Sequence, residues 1–214
     1  FVACDSTNIN KVKEIIKKNK NSKIKIGYKF GLEFILSKYG RNFISKLKNK
    51  IIFIDIKAKD IPNTMMSAIN SLKDLKINYL TVHISSGLEA LKAVKKVSSK
   101  IKIVGVSTLT SLDNKNLKEI GYNKSVKNLI IHQSKLARKA KLDALVCSPK
   151  EVAYVRKVFK KEIITPGVRF DKKIQDQKRT MHPSKIKSDW LVCGRAITKG
   201  NIKNNLKKLI HYLN

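Results

Sequence analysis

The sequence predicts an α/β protein of the (β/α)8 class, a TIM barrel, and three observations carry that expectation. Near-continuous apolar runs recur eight times, about every 20 to 30 residues. The segments between them space their apolar residues as amphipathic helices do. Strand after strand ends in a polar or charged residue, as expected where a barrel builds its site at the carboxyl ends of its strands. Runs that are apolar throughout imply parallel strands buried on both faces, and eight such units favour a closed barrel over an open sheet.

The first strand is expected at Phe1 to Asp5, followed by a helical segment with Val12, Ile15 and Ile16 on one side. The second is expected at Ile24 to Tyr28, with Lys25 as its functional polar residue and Lys29-Phe30-Gly31 as an insertion-like extension. The third, Ile51 to Lys57, carries Asp55 and Lys57 at its end, and the fourth, Leu80 to Ser85, carries His83. Leu88, Leu91 and Val94 space the next helix. The fifth strand, Ile101 to Thr108, ends near Ser107, and the sixth, Ala144 to Ser148, at Ser148. Ile163 to Gly167 and Trp190 to Gly194 complete the eight, and Ile202, Leu206, Leu209 and Ile210 mark the last helix. Val168 to Pro183 is the longest irregular connection, and in a compact barrel a loop of that length reads as a functional lid.

With 214 residues and no Pro/Gly-rich linker, the chain is expected to form one domain over 1–214. No run approaches the roughly 18 to 20 apolar residues of a membrane span, and the acidic Asp5 comes too soon for a signal peptide. A soluble, cytoplasmic protein is expected. The first residue is not Met and already reads as strand, which is consistent with leading residues missing from the sequence. Cys4, Cys147 and Cys193 are odd in number, far apart and set in apolar runs, so they read as buried thiols of a reducing compartment. None pairs with a histidine at metal-ligand spacing.

The formal charge of +32 raises the question of nucleic acid. The lysines are spread through nearly every helix and loop instead of forming one arm, and they accompany abundant Asn and Ile, so biased codon usage accounts for them. The alternative is a nucleic-acid-binding barrel without catalysis, with steeply salt-dependent affinity. Against the lysine background only six arginines occur, and Arg169, Arg179 and Arg195 fall near the end. A retained arginine hints at a need for its planar, bidentate fork.

The stretch Asp55-Ile56-Lys57-Ala58-Lys59-Asp60-Ile61-Pro62-Asn63-Thr64 is the most informative segment. Burying unpaired ions costs several kcal/mol each, roughly, so alternating charges at a strand mouth suggest a mutually neutralising cluster that does chemistry. Alternation along a strand puts Asp55 and Lys57 on one face, and Lys59, beyond the expected strand end, is read as a solvated or interfacial charge. A second constellation, Thr165-Pro166-Gly167-Val168-Arg169-Phe170 with Cys193-Gly194-Arg195-Ala196, is an anion site in expectation. Glycines let backbone amides approach a phosphate there, and arginine grips it. The bland alternative is two turns with solvated arginines.

Together these residues resemble the orotidine 5′-phosphate decarboxylase family. Asp-X-Lys-X-X-Asp followed by Ile-Pro-Asn-Thr, at Asp55 to Thr64, looks like that family's signature. Further segments stand in the family's order: Ala3-Cys4-Asp5, Lys25-Ile26-Gly27, Val82-His83, and Val106-Ser107-Thr108-Leu109-Thr110-Ser111. Val146-Cys147-Ser148, Thr165 to Phe170, Asp176-Gln177-Lys178-Arg179 and Gly194-Arg195 follow. Related metal-dependent sugar-phosphate enzymes share a similar stretch but carry an acidic metal ligand after the second strand, where Lys25 is expected here. A lysine there would repel Mg²⁺ and complete an alternating array.

The resemblance implies conversion of orotidine 5′-phosphate to uridine 5′-phosphate and CO2, the last step of de novo pyrimidine synthesis, with no metal or organic cofactor. It implies Lys57 as the ammonium that stabilises charge at carbon 6 and then protonates it, with Asp55, Asp60 and Lys25 completing the catalytic array. Asp5 and Lys25 would contact ribose, Ser107 the pyrimidine edge, and Arg169, Gln177, Gly194 and Arg195 the phosphate. Asp60, Ile61 and Thr64 would reach the neighbouring site of a homodimer. Arg179 would support the closed loop or make a surface ion pair, and His83 is expected to pack under the site in preference to acting as an acid.

Overall fold

The computed structural model describes residues 1–19, 22–170 and 181–213. Eight strands form one parallel sheet in chain order: β1 (Val2–Ala3), β2 (Gly27–Gly31), β3 (Ile51–Ala58), β4 (Tyr79–His83), β5 (Lys102–Val106), β6 (Ala144–Val146), β7 (Glu162–Thr165) and β8 (Trp190–Leu191). The sheet closes on itself just beyond β8. Val2 bridges Cys193 in parallel, with Ala3 N–H donating to Cys193 O and Cys193 N–H to Phe1 O, each at 2.9 Å. Closure leaves no sheet edge and fixes all eight carboxyl ends around one mouth.

The helices are α1 (Ile9–Lys18), α2 (Leu32–Ile35), α3 (Gly40–Ser45), α4 (Pro62–Asn70), α5 (Leu88–Val97), α6 (Asn114–Glu119), α7 (Val126–Lys139), α8 (Val152–Val158), α9 (Arg195–Thr198) and α10 (Ile202–Leu213). Local chemistry sets their ends. The Asn8 side chain accepts from the N–H groups of Asn10 and Lys11 at the start of α1, and Lys17 and Lys18 face its carboxyl-end dipole. Pro62 opens α4, where its missing N–H costs nothing. Among the described residues no helix is long and apolar enough to cross a membrane.

Strand parity divides the core into two layers. Ile52 and Ile54 of β3, Tyr28 and Phe30 of β2, and Leu80 and Val82 of β4 join the large outer cluster against the helices. Phe53, Tyr79, Val104, Ala144, Ile164 and Val192 form a second cluster that fills the barrel interior with Phe1. Asp55 and Lys57 share the parity of Phe53, Lys29 is out of step with Tyr28 and Phe30, and Thr81 has the parity of Tyr79. The interior column therefore rises from aromatic at the base to charged at the mouth.

One expected strand shifts. β2 begins at Gly27, after the Lys-Ile alternation that suggested Ile24 to Tyr28. Gly27 is required where the strand enters the barrel, because a Cβ there would lie 2.6 Å from the Phe1 ring. Lys29, Phe30 and Gly31 are thus strand, and Lys25 precedes it.

Candidate active site

A row of four alternating charges crosses the mouth from β1 to β3. Asp5 follows β1, and its carboxylate lies 3.0 and 3.1 Å from the Lys29 ammonium on β2. The same ammonium lies 3.3 Å from Asp55 Oδ2 on β3. Asp55 Oδ1 in turn lies 2.9 Å from Lys57 Nζ. Gly31 N–H also donates to Asp5 Oδ1 at 3.0 Å, a close approach that needs glycine because a Cβ would sit 2.7 Å from that oxygen.

Lys29 therefore stands where Lys25 was expected. Lys25 is exposed and lies at the amino-terminal side of the sheet, its ammonium 5.5 Å from the centroid of the Trp190 ring. The misplacement has a physical cause. Lys29 is 7% exposed, and a lysine inside a buried strand is tolerable only because two carboxylates meet it, which a linear reading of the apolar run does not show.

Thr81, which the sequence reading did not single out, joins the row from β4. Its Oγ1 accepts from Lys57 N–H at 2.8 Å and donates to Asp55 Oδ1 at 3.1 Å. Its side chain is fully buried, and its inward parity with Tyr79 was the available signal. Lys57 itself has φ +50°, a left-handed conformation that costs a non-glycine residue about 1–3 kcal/mol and persists only where its surroundings over-determine it.

Electrostatics follow from this packing. Burial pushes the Asp55 carboxyl up, but the Lys29 and Lys57 ammoniums and the hydrogen bonds from Lys57 and Thr81 outweigh it and hold Asp55 below the usual carboxylate range. Burial likewise disfavours the Lys29 ammonium, yet Asp55 and Asp5 together hold it above the ordinary lysine value. Both groups stay charged at neutral pH.

The row opens into a cleft of about 500 Å³. Its apolar wall includes Ala3, Phe53, Val106, Val146 and Val192, and Thr108, Leu109 and Thr110 line the β5 side. Gly167 and Arg169, after β7, and Gly194 and Arg195, after β8, line the same cleft. Gly167 has φ +80°, a turn that favours glycine after β7. Arg169 N–H donates to Met181 O at 3.3 Å and Met181 N–H to Gly167 O at 3.3 Å, so the two ends of the β7–β8 connection are pinned together. The helix after Gly194, α9, is a single turn, so positive charge at this end comes from the two guanidiniums more than from a helix dipole.

Other expected site residues lie apart from the cleft wall. Ser107 is 2% exposed and its hydroxyl donates to Val146 O at 2.8 Å; its neighbour Thr108 faces the cleft. Asp60, Ile61 and Thr64 are exposed at the β3–α4 junction, with Asp60 Oδ1 accepting from Ile61 N–H at 2.7 Å. Ile61 is 66% exposed, unusual for an isoleucine beside a charged site. Lys59 is exposed, and His83 ends β4 half-buried. Gln177, with Asp176, Lys178 and Arg179, lies outside the described residues.

Comparison with known proteins agrees with this geometry. A model of the orotidine 5′-phosphate decarboxylase / HUMPS family matches residues 1–208. An orotidine 5′-phosphate decarboxylase of Wolbachia pipientis is 38% identical over 191 residues, covering 85% of this chain and 84% of the relative. One from Ehrlichia chaffeensis is 39% identical over 180 residues, covering 79% and 78%. Among solved structures, orotidine 5′-phosphate decarboxylase from Lactobacillus acidophilus superposes with a TM-score of 0.81 at 26% identity, covering 100% of this chain and 97% of that one. The Methanocaldococcus jannaschii orotidine 5′-monophosphate decarboxylase, complexed with the inhibitor BMP, gives 0.79 at 25% identity, with the same coverage. The chain belongs to the orotidine 5′-phosphate decarboxylase / HUMPS family.

Proposed function

We propose that this chain decarboxylates orotidine 5′-phosphate to uridine 5′-phosphate and CO2, with Lys57 as the proton donor to carbon 6. The observation that carries the proposal is the row Asp5, Lys29, Asp55, Lys57 at the mouth of a cleft that Arg169 and Arg195 also line. Losing CO2 leaves an electron pair in the plane of the pyrimidine ring, where the ring cannot delocalise it. A fixed ammonium beside carbon 6 stabilises that charge as it develops and then supplies the proton that completes the product. Lysine suits both tasks, being a compact point charge and an acid.

Asp55 holds the Lys57 ammonium in place and repels the substrate carboxylate, a repulsion relieved as CO2 departs. Lys29 balances Asp55 and Asp5, and Asp5 is placed for a ribose hydroxyl. Arg169, Arg195 and the backbone beside Gly167 and Gly194 take the phosphate, and binding energy at that remote group organises the reacting end. Pyrimidine contacts come from the Thr108 to Thr110 segment, which lines the cleft. No metal is part of this proposal: the Lys29 ammonium already occupies the space between the two carboxylates that a divalent cation would need, and would repel one.

Asp60, Ile61 and Thr64 complete the site of a second copy of the chain, making the active unit a homodimer. Their exposure in one chain, Ile61 above all, supports this reading. The test of function follows orotidine 5′-phosphate absorbance in chelator-treated, metal-free buffer. Sustained turnover is expected; a strict Mg²⁺ requirement with turnover of a sugar phosphate instead would refute the proposal.

A further inference from the structure

We infer that Thr81 is a positioning residue for this reaction, its hydroxyl fixing the Lys57 ammonium against Asp55. The inference rests on the assignment of Lys57 above. Between the pairs Ile54↔Leu80 and Ala58↔Val82, β3 advances by four residues while β4 advances by two. Asp55, Ile56 and Lys57 therefore lie opposite the single residue Thr81. At such a bulge the regular ladder cannot serve every backbone group, and bulges re-aim side chains next to active sites. Thr81 Oγ1 takes over one of those duties by accepting from Lys57 N–H, and with its proton it reaches Asp55 Oδ1, the oxygen that Lys57 Nζ also meets.

One oxygen thus ties the backbone of the acid to the carboxylate that orients its ammonium. The tie is stiff. A β-branched side chain has few χ1 choices, and full burial keeps water from replacing the hydroxyl. Because Lys57 adopts φ +50°, its side-chain direction depends on what holds that backbone, and Thr81 is the side chain that does so. A shift of about 1 Å in a reacting group can cost about 10²-fold in rate, so loss of this oxygen should be read in the chemical step.

The experiment compares Thr81→Val, which keeps the shape and removes the hydroxyl, with Thr81→Ser, which keeps the hydroxyl, in steady-state decarboxylation and in calorimetric binding of uridine 5′-phosphate. For valine, kcat should fall about 10- to 100-fold, while KM and product affinity stay within about threefold; serine should recover most of kcat. Should valine not fold, Thr81→Ala against Thr81→Ser makes the same comparison. A valine kcat within about twofold of wild type, equal losses in valine and serine, or a rise in KM and a loss of product affinity as large as the loss of kcat would overturn the inference. Wild type and Lys57→Ala are measured alongside. An inactive wild type, or an undiminished Lys57→Ala, would overturn the assignment of Lys57 itself; an active wild type, an inactive Lys57→Ala and an unchanged Thr81→Val would overturn only the role of Thr81.

Discussion

Replacing Lys29 by Met keeps most of the side-chain volume and removes the ammonium that Asp5 and Asp55 share. That ammonium lies 3.0 Å from one carboxylate and 3.3 Å from the other, and the Asp55 side chain is only 13% exposed. Breaking a buried ion pair by removing one partner costs about 3–5 kcal/mol. Asp55 keeps Lys57 and Thr81, which argues for the lower figure of about 3 kcal/mol, or roughly 10²-fold if it is expressed in the transition state. The Asp55 carboxyl also loses the strongest opposing charge that depresses it, so it protonates at higher pH and the acid limb of the kcat/KM profile should move upward. Lys25→Met removes only an exposed contact with Trp190, worth about 0.5–1 kcal/mol, and should leave kcat/KM unchanged. Steady-state decarboxylation of wild type and both variants, from about pH 4, near the ordinary carboxylate value, up to about pH 9, is the assay. A wild-type rate for Lys29→Met, or a larger loss for Lys25→Met, would refute the reasoning.

Two further outcomes are expected. Lys57→Ala and Asp60→Ala subunits, each inactive alone, should regain part of the wild-type activity when mixed, since a hybrid dimer contains one site with both residues intact; no recovery despite demonstrated subunit exchange would count against a shared site. His83 is held below its ordinary value of 6.5 by burial and by the Lys59 and Lys57 ammoniums, with Asp55 acting in the other direction. A depressed histidine contributes stability above pH 6.5 that is lost as pH falls toward its folded-state pKa, because the unfolded chain binds the proton first. Urea midpoints for wild type should therefore decline below pH 6.5 more steeply than for His83→Asn, and parallel profiles would contradict this.

Much of the barrel was legible because parallel strands buried on both faces cannot hide their apolar runs. β3 and its Asp55 and Lys57 were clear for the same reason, the charges interrupting an otherwise buried segment. What misled was the assumption that a charge ends a strand. Lys29 lies inside β2, and only the folded barrel brings Asp5 and Asp55 to either side of it. The exposed Lys25, flanked by Ile24 and Ile26, imitated the strand instead. Thr81 escaped notice because a threonine in an apolar run reads as β propensity; its inward parity with Tyr79 gains meaning once the β3 bulge is known. Ser107 was named for the pyrimidine edge, yet the one-residue phase of β5 turns its hydroxyl to Val146 and leaves Thr108 in the cleft. Asp60, Ile61 and Thr64 are exposed at the β3–α4 junction, and the role proposed for them calls for a second chain.

The central claim is that Lys57 both stabilises charge at carbon 6 and delivers the proton. Its most direct test is the single-turnover rate of orotidine 5′-phosphate loss with wild type and with a Lys57→Ala protein shown to be folded and to bind uridine 5′-phosphate. Removing an acid and a fixed charge together should lower the rate by about 10⁴-fold or more. A Lys57→Ala rate within about tenfold of wild type would contradict the account, since a general acid alone typically contributes about 10²- to 10⁴-fold.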